Sequence, residues 1–139
     1  MIMKGSMKIG LLVSIACILM LGSCEKFVRP NKVERIVEDN KWSVSNCIVN
    51  GVNHQFIGTE FHFREAGYIA VSETASVNGK WTVGLNKKPT TLYISAFLSE
   101  PYFVLNDSWK VLTATKNRLT MRAEHGNVVN SLTLIRIED

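Results

Sequence analysis

The chain has 139 residues, 46% hydrophobic and 20% charged, with three cysteines and a formal net charge of +4. That is enough for one domain of ordinary size. A positive balance this small, without a basic cluster in the sequence, gives no case for nucleic acid as a partner.

Two basic residues, Lys4 and Lys8, precede an uncharged run of about 14 residues from Ile9 to Gly22. A bilayer-spanning helix needs ~20 apolar residues. A short apolar run behind a basic flank, ending in small residues, has the form of a secretory signal peptide. Its end, Leu21-Gly22-Ser23-Cys24, resembles the bacterial lipobox. That resemblance implies a diacylglyceryl group on the Cys24 thiol and cleavage before Cys24. Two or three acyl chains, at ~0.8 kcal/mol per buried methylene, give stable anchoring where one would be marginal. The expected organisation is a signal peptide over 1–23, a membrane tether over 24–31 and a single β-domain over 32–139. Cleavage also removes Lys4, Lys8 and Cys17, leaving 14 basic against 12 acidic residues, a net charge of +2. Cys24 carries the lipid, so Cys47 has no disulfide partner and reads as a small apolar strand residue.

Pro30 is expected to keep the tether irregular. Asn31 can cap a short helix whose apolar positions are Val33, Ile36 and Val37, with Glu34, Arg35 and Glu38 facing water. From Lys41 onward the apolar period becomes two. Eight strands are predicted: Trp42 to Val49, Phe56 to Phe63, Tyr68 to Thr74, Val77 to Val83, Thr91 to Phe97, Trp109 to Ala114, Arg118 to Ala123 and Val128 to Ile137. The separators NGVNH, EAG, SVNG, LNKKP, TKN and EHGN are turn-like, and one longer connection, Leu98 to Asp107, interrupts the series. No 12-residue amphipathic helix separates the strands, which argues against parallel βαβ units. Short sequential strands leave a sandwich or a barrel. Eight hairpin-linked strands fit an all-β, antiparallel up-and-down barrel with a short N-terminal helix, because closure removes both sheet edges.

Alternation places Trp42, Val44, Phe61, Phe63, Trp81, Val83, Leu92, Ile94, Trp109, Val111, Leu119, Met121, Leu132 and Leu134 inward. It sends Lys110, Arg118, Arg122 and Arg136 outward. Trp42, Trp81 and Trp109 each stand two residues before a valine and each is expected to open a strand. Aromatics of that size bury ~150–250 Å² apiece and can close the end of a small barrel.

The order of these motifs resembles the lipocalin-like lipoproteins of Gram-negative bacteria, within the calycin group of barrels. The likeness rests on Lys41-Trp42, Phe61-His62-Phe63 followed by Gly67, Gly79-Lys80-Trp81, Trp109-Lys110-Val111 and Leu132-Thr133-Leu134-Ile135-Arg136. It implies an antiparallel barrel in which Trp42 stacks under Arg136. It also implies a membrane-anchored protein of the bacterial envelope, at the outer membrane facing the periplasm.

Catalytic patterns are missing from the sequence. His54, His62 and His125 lack metal-ligand spacing, and His62, between Phe61 and Phe63, reads as an outward strand residue. No paired carboxylates face inward, and neither a G-x-S-x-G elbow nor a phosphate-binding glycine loop is present. A non-enzymatic protein without cofactor or metal is expected. Two functions remain. In one, the barrel mouth holds a small apolar or amphipathic ligand, with Phe61, Tyr68, Tyr93, Phe97, Tyr102, Phe103 and Trp109 as lining residues and the long connection as a lid. In the other, a filled barrel acts as an adaptor and docks an envelope protein or glycan.

Overall fold

The computed structural model describes residues 28–138, apart from the side chains of 75 and 76. The expected signal peptide, Cys24 and the first part of the tether lie outside the described residues. Helix α1 spans Pro30–Val37. Pro30 starts this helix instead of preventing it. At the first helical position its missing N–H is one of the unpaired donors anyway, and its fixed φ suits the turn. The helix therefore begins before the expected cap Asn31. Arg29 occupies the cap position and gives no side-chain hydrogen bond. Val33 and Val37 are fully buried, as the helical spacing predicts.

Nine antiparallel strands follow: β1 Lys41–Val49, β2 Val52–Asn53, β3 Phe61–Phe63, β4 Tyr68–Val71, β5 Thr74–Val83, β6 Thr91–Ser95, β7 Asp107–Thr115, β8 Arg118–His125 and β9 Val128–Arg136. A 3₁₀ turn, Tyr102–Leu105, sits in the long connection before β7. From β3 to β9 sequential strands pair, and β1 pairs with both β3 and β9. This closes an eight-stranded up-and-down barrel, on which β2 is a short flap folded back along β1. The flap's turn is Asn50-Gly51, both at positive φ, with Val49 opposite Val52. Asn-Gly is the pair that a two-residue hairpin of this twist favours.

Several boundaries differ from the sequence reading. The strand expected over Phe56 to Phe63 is only Phe61–Phe63. Gly58 at φ +77° and a turn closed by Thr59 N–H on the Phe56 carbonyl keep residues 56–60 out of the sheet. The segment SVNG is not a turn but lies within β5, and the chain reverses at Ser72 and Glu73 instead. Trp81 therefore stands near the end of a strand and does not open one. Of the fourteen residues expected inward, all but Val44 are buried, and Val44 is half-buried.

The register shifts at three places, one of them where β4 passes from Ala70 opposite Asn78 to Val71 opposite Thr74, and two bulges, in β1 and β7, change which residues face inward. In β1, Val44 faces Leu134 and Asn46 faces Thr133, so Ser45 is an extra residue. The parity reverses there, which turns Cys47 inward opposite Leu132. In β7 the register slips between Val111 and Thr113, leaving Leu112 outside and Ala114 inside. One inserted residue exchanges the faces of everything after it. Arg136 also moves relative to expectation. It shares parity with Leu132 and Leu134 and lies opposite Trp42. It is therefore on the inner face, at the barrel's rim, and not outward.

At one end, the helix end, α1 and the turns 64–67, 84–90 and 116–117 converge. The opposite end, the loop end, gathers the segments 50–60, 72–73, 96–106 and 126–127. Each tryptophan fastens an irregular segment to the barrel through its indole N–H. Trp42 donates to Val37 of α1 at 3.4 Å, Trp81 to Arg64 in the β3–β4 turn at 2.9 Å, and Trp109 to Leu105 of the 3₁₀ turn at 2.8 Å.

Candidate functional site

The seven aromatics expected to line a ligand site do not share one surface. Phe61, Phe97 and Tyr102 come together at the loop end, joined by Phe56, with ring centroids 5.6–6.4 Å apart. Such edge-to-face and offset contacts are the favoured aromatic geometries. All four are buried, so the cluster is a plug rather than an open lining. Trp109 is also fully buried. Tyr68 lies on the outside under the Arg64 guanidinium, 5.9 Å from its ring centre. Tyr93, between inward Leu92 and Ile94, faces outward across from Thr82 and Ser108. Phe103 projects from the 3₁₀ turn and is 45% exposed.

The long connection closes over the plug. Tyr102 and Leu105 face in, and the Tyr102 hydroxyl donates to Glu73 Oε1 at 2.7 Å. That hydrogen bond, then burial, then the Glu73 charge raise the Tyr102 phenol above its ordinary pKa. The Asn106 side chain holds the base of the loop. It accepts from the Phe97 N–H at 3.1 Å and donates to the Phe97 carbonyl at 2.8 Å. Clefts of about 330 to 550 Å³ lie around the outside. None of these is lined by Phe61, Phe97, Tyr102 or Trp109. Among the described residues, no buried side-chain nitrogen or oxygen lacks a hydrogen-bond partner.

Trp42 and Arg136 are cross-strand neighbours on β1 and β9. The Arg136 side chain engages Asn117, Asn40 and Glu138 at the rim. His62 is on the outer face and contacts Arg64. His125 pairs with Asp107 at 2.8 Å, beside Asn130. Among the described residues, no three histidine, cysteine or carboxylate side chains gather as a metal-holding cluster, and no helix is long and apolar enough to cross a membrane.

Cys47 is fully buried, and burial pushes its thiol up to about 11. The neutral thiol is inert to thiol reagents. With Cys17 and Cys24 changed to serine, the folded chain is expected to leave Cys47 unreacted at pH 8 and to react fully in denaturant. The folded thiol titrates above its ordinary value of 9.0. Its stabilising contribution is therefore complete below pH ~9 and declines as pH rises toward ~11. A Cys47→Ala chain lacks that alkaline slope in its denaturation midpoints.

Sequence reasoning passed over two groupings. The loop end exposes Val52, Ile57, Leu98, Phe103, Val128 and Val129, with Ile57 84% and Leu98 94% accessible. Apolar residues inside turn segments were the available signal. The helix end brings together Lys32, Arg35, Lys116 and Arg136. These are scattered over more than a hundred positions, so no local pattern marks them. No protein-family model matches the chain, and neither a curated protein nor a solved structure matches it.

Proposed function

We propose that this chain is a non-catalytic, lipocalin-like lipoprotein, anchored through Cys24 in the envelope of a Gram-negative bacterium, whose filled barrel presents its loop end to a partner protein. The observation that carries this reading is the interior packing. Trp42, Trp109, Phe61, Phe63 and Phe97 fill the barrel, α1 covers one end, and the aromatic plug covers the other. A carrier needs a cavity of ~300 Å³ or more around its ligand, and the clefts of that size described above are not lined by Trp42, Trp109, Phe61, Phe63 or Phe97. The recognition work then falls to the surface. Val52 and Phe103 line one cleft of about 550 Å³ there, and large contiguous exposed apolar patches are where partner proteins dock.

Titration of the chain with a broad panel of fatty acids and haem, read by tryptophan fluorescence, is expected to give no saturable change. A saturable shift would restore the reading of a small amphipathic ligand in the mouth. In intact cells, a photo-crosslinker at Ile57 or Leu98 should trap one discrete protein, while the same group at Tyr93 should not. Cys24→Ser should move the protein from the membrane to the soluble fraction; continued fractionation with membranes would refute the anchor.

A further inference from the structure

The helix end carries a cleft of about 460 Å³ lined by Lys32, Arg35, Ile36, Asn40, Lys116 and Arg136. Four of these six side chains are cationic, and none is a carboxylate. They come from α1, the β7–β8 turn and the last residue of β9. Arg136 is held in place by the framework: its Nε lies 3.4 Å from Asn117 Oδ1 and its Nη1 3.5 Å from Asn40 Oδ1. Asn40 is itself fixed by donating to the Ile36 carbonyl at 2.7 Å. The carboxylate paired with Arg136, Glu138, is 3.8 Å away and 65% exposed, a contact of little strength in water. Glu34 borders an adjacent depression with Lys32 and Arg35 but does not line this cleft.

Among the described residues, no side-chain hydrogen bond or ion pair within the protein engages Lys32, Arg35 or Lys116. By contrast, Lys110 and Arg122 on the barrel wall share Glu124 at 3.1 and 3.4 Å. Like charges gathered around one cleft repel, and an anion entering it relieves that repulsion. Arginine and lysine together suit phosphate, the first through its fork of donors and the second as a point charge.

We propose that this cleft binds a phosphate-bearing anion, either free phosphate or the headgroup of an anionic phospholipid. The headgroup source rests on the lipid-anchor reading. Pro30 is six residues from Cys24, a span of at most ~20 Å even when extended, which would hold the cleft close to the bilayer. The Ile36 side chain adds an apolar surface for a lipid's glycerol end.

The test is an NMR titration of the full chain in a neutral detergent, with inorganic phosphate, dihexanoyl phosphatidylglycerol and dihexanoyl phosphatidylcholine in turn. Phosphate and the glycerol lipid should shift amides of α1, the 116–117 turn and the end of β9. The choline lipid should not, because its own cation opposes the cleft. Binding should weaken several-fold between 50 and 300 mM salt. Arg35→Glu combined with Lys116→Glu, both at exposed positions, should lower the affinity about tenfold or more, the equivalent of ~1.4 kcal/mol. Lys116→Gln, which only removes a charge, should give a smaller loss. Tighter binding of the glycerol lipid than of phosphate, by about tenfold, identifies the headgroup; equal affinity identifies a free anion. The proposal is overturned if neither anion shifts those amides, or if the double charge reversal leaves affinity unchanged. These soluble probes report on the cleft whether or not Cys24 is acylated, so failure here is distinct from failure of the anchor.

Discussion

Trp42→Ala is expected to lower the unfolding free energy by about 3–5 kcal/mol, the range for removing a large aromatic from a packed interior. Domains of this kind are stable by only ~5–15 kcal/mol, so much of the total is at stake. The size of the effect follows from position as well as volume. Trp42 is fully buried and lies opposite Phe61 on one side and Arg136 on the other. It therefore stands where the first and last parts of the sheet meet. Its indole also reaches the end of α1. Truncation leaves a cavity and loosens both the closure and the helix cover. Urea denaturation, followed by the fluorescence of Trp81 and Trp109, should show a midpoint lower by one to a few molar, taking m as ~1–3 kcal/mol/M. Trp42→Phe keeps most of the buried surface and should lose distinctly less. A shift below ~1 kcal/mol for the alanine variant would mean that the closure does not depend on this side chain.

The second large effect comes from adding an atom. Gly79 is in the middle of β5, opposite Ile69 of β4. A Cβ there would lie 2.4 Å from Cε2 and 2.6 Å from Cζ of the Phe97 ring. Phe97 cannot simply swing aside. It is 1% exposed and packed against Phe61 and Tyr102, and its backbone is tied to Asn106. Gly79→Ala should therefore cost about 1–3 kcal/mol as overpacking. In an unobstructed strand the same change would be favourable by roughly 0.5–1 kcal/mol. A double-mutant cycle separates the two contributions. With Phe97→Leu in place, the penalty for Gly79→Ala should shrink or change sign. Equal penalties in both backgrounds would show that the Phe97 ring is not the obstacle.

Much of the barrel was legible because period-two alternation is a local property. Thirteen of the fourteen residues assigned inward are buried, since each sits on a strand whose neighbours repeat the same binary pattern. The two helix valines were equally readable from their spacing. What alternation could not supply was the bulges at Ser45 and around Leu112, because an inserted residue has no composition of its own. The turn at Ser72 and Glu73 was missed for a related reason. The more turn-like SVNG nearby competes for the same role, and pairing with Tyr68 to Ala70 draws its Asn78 and Gly79 into the sheet.

The sites divide along the same line. The proposed lipid site at Cys24 is a sequence matter, since a peptide motif read by an enzyme would need no fold. The aromatic positions were also visible, but whether they formed a lining or a plug depended on residues 96–106 folding back so that Tyr102 meets Phe56 and Phe61. The cationic cleft depended wholly on closure. Lys32 and Arg136 are at opposite ends of the described chain, and only the pairing of β1 with β9 brings them to one rim. By itself, then, the sequence determined the all-β class and most of the inward face, because periodicity acts over short range. The tertiary structure alone decided that the large aromatics are buried together, that four of them cluster at the loop end, and that four separated cations share one cleft. Those outcomes depend on which distant surfaces meet, and packing between strands far apart in the chain sets that.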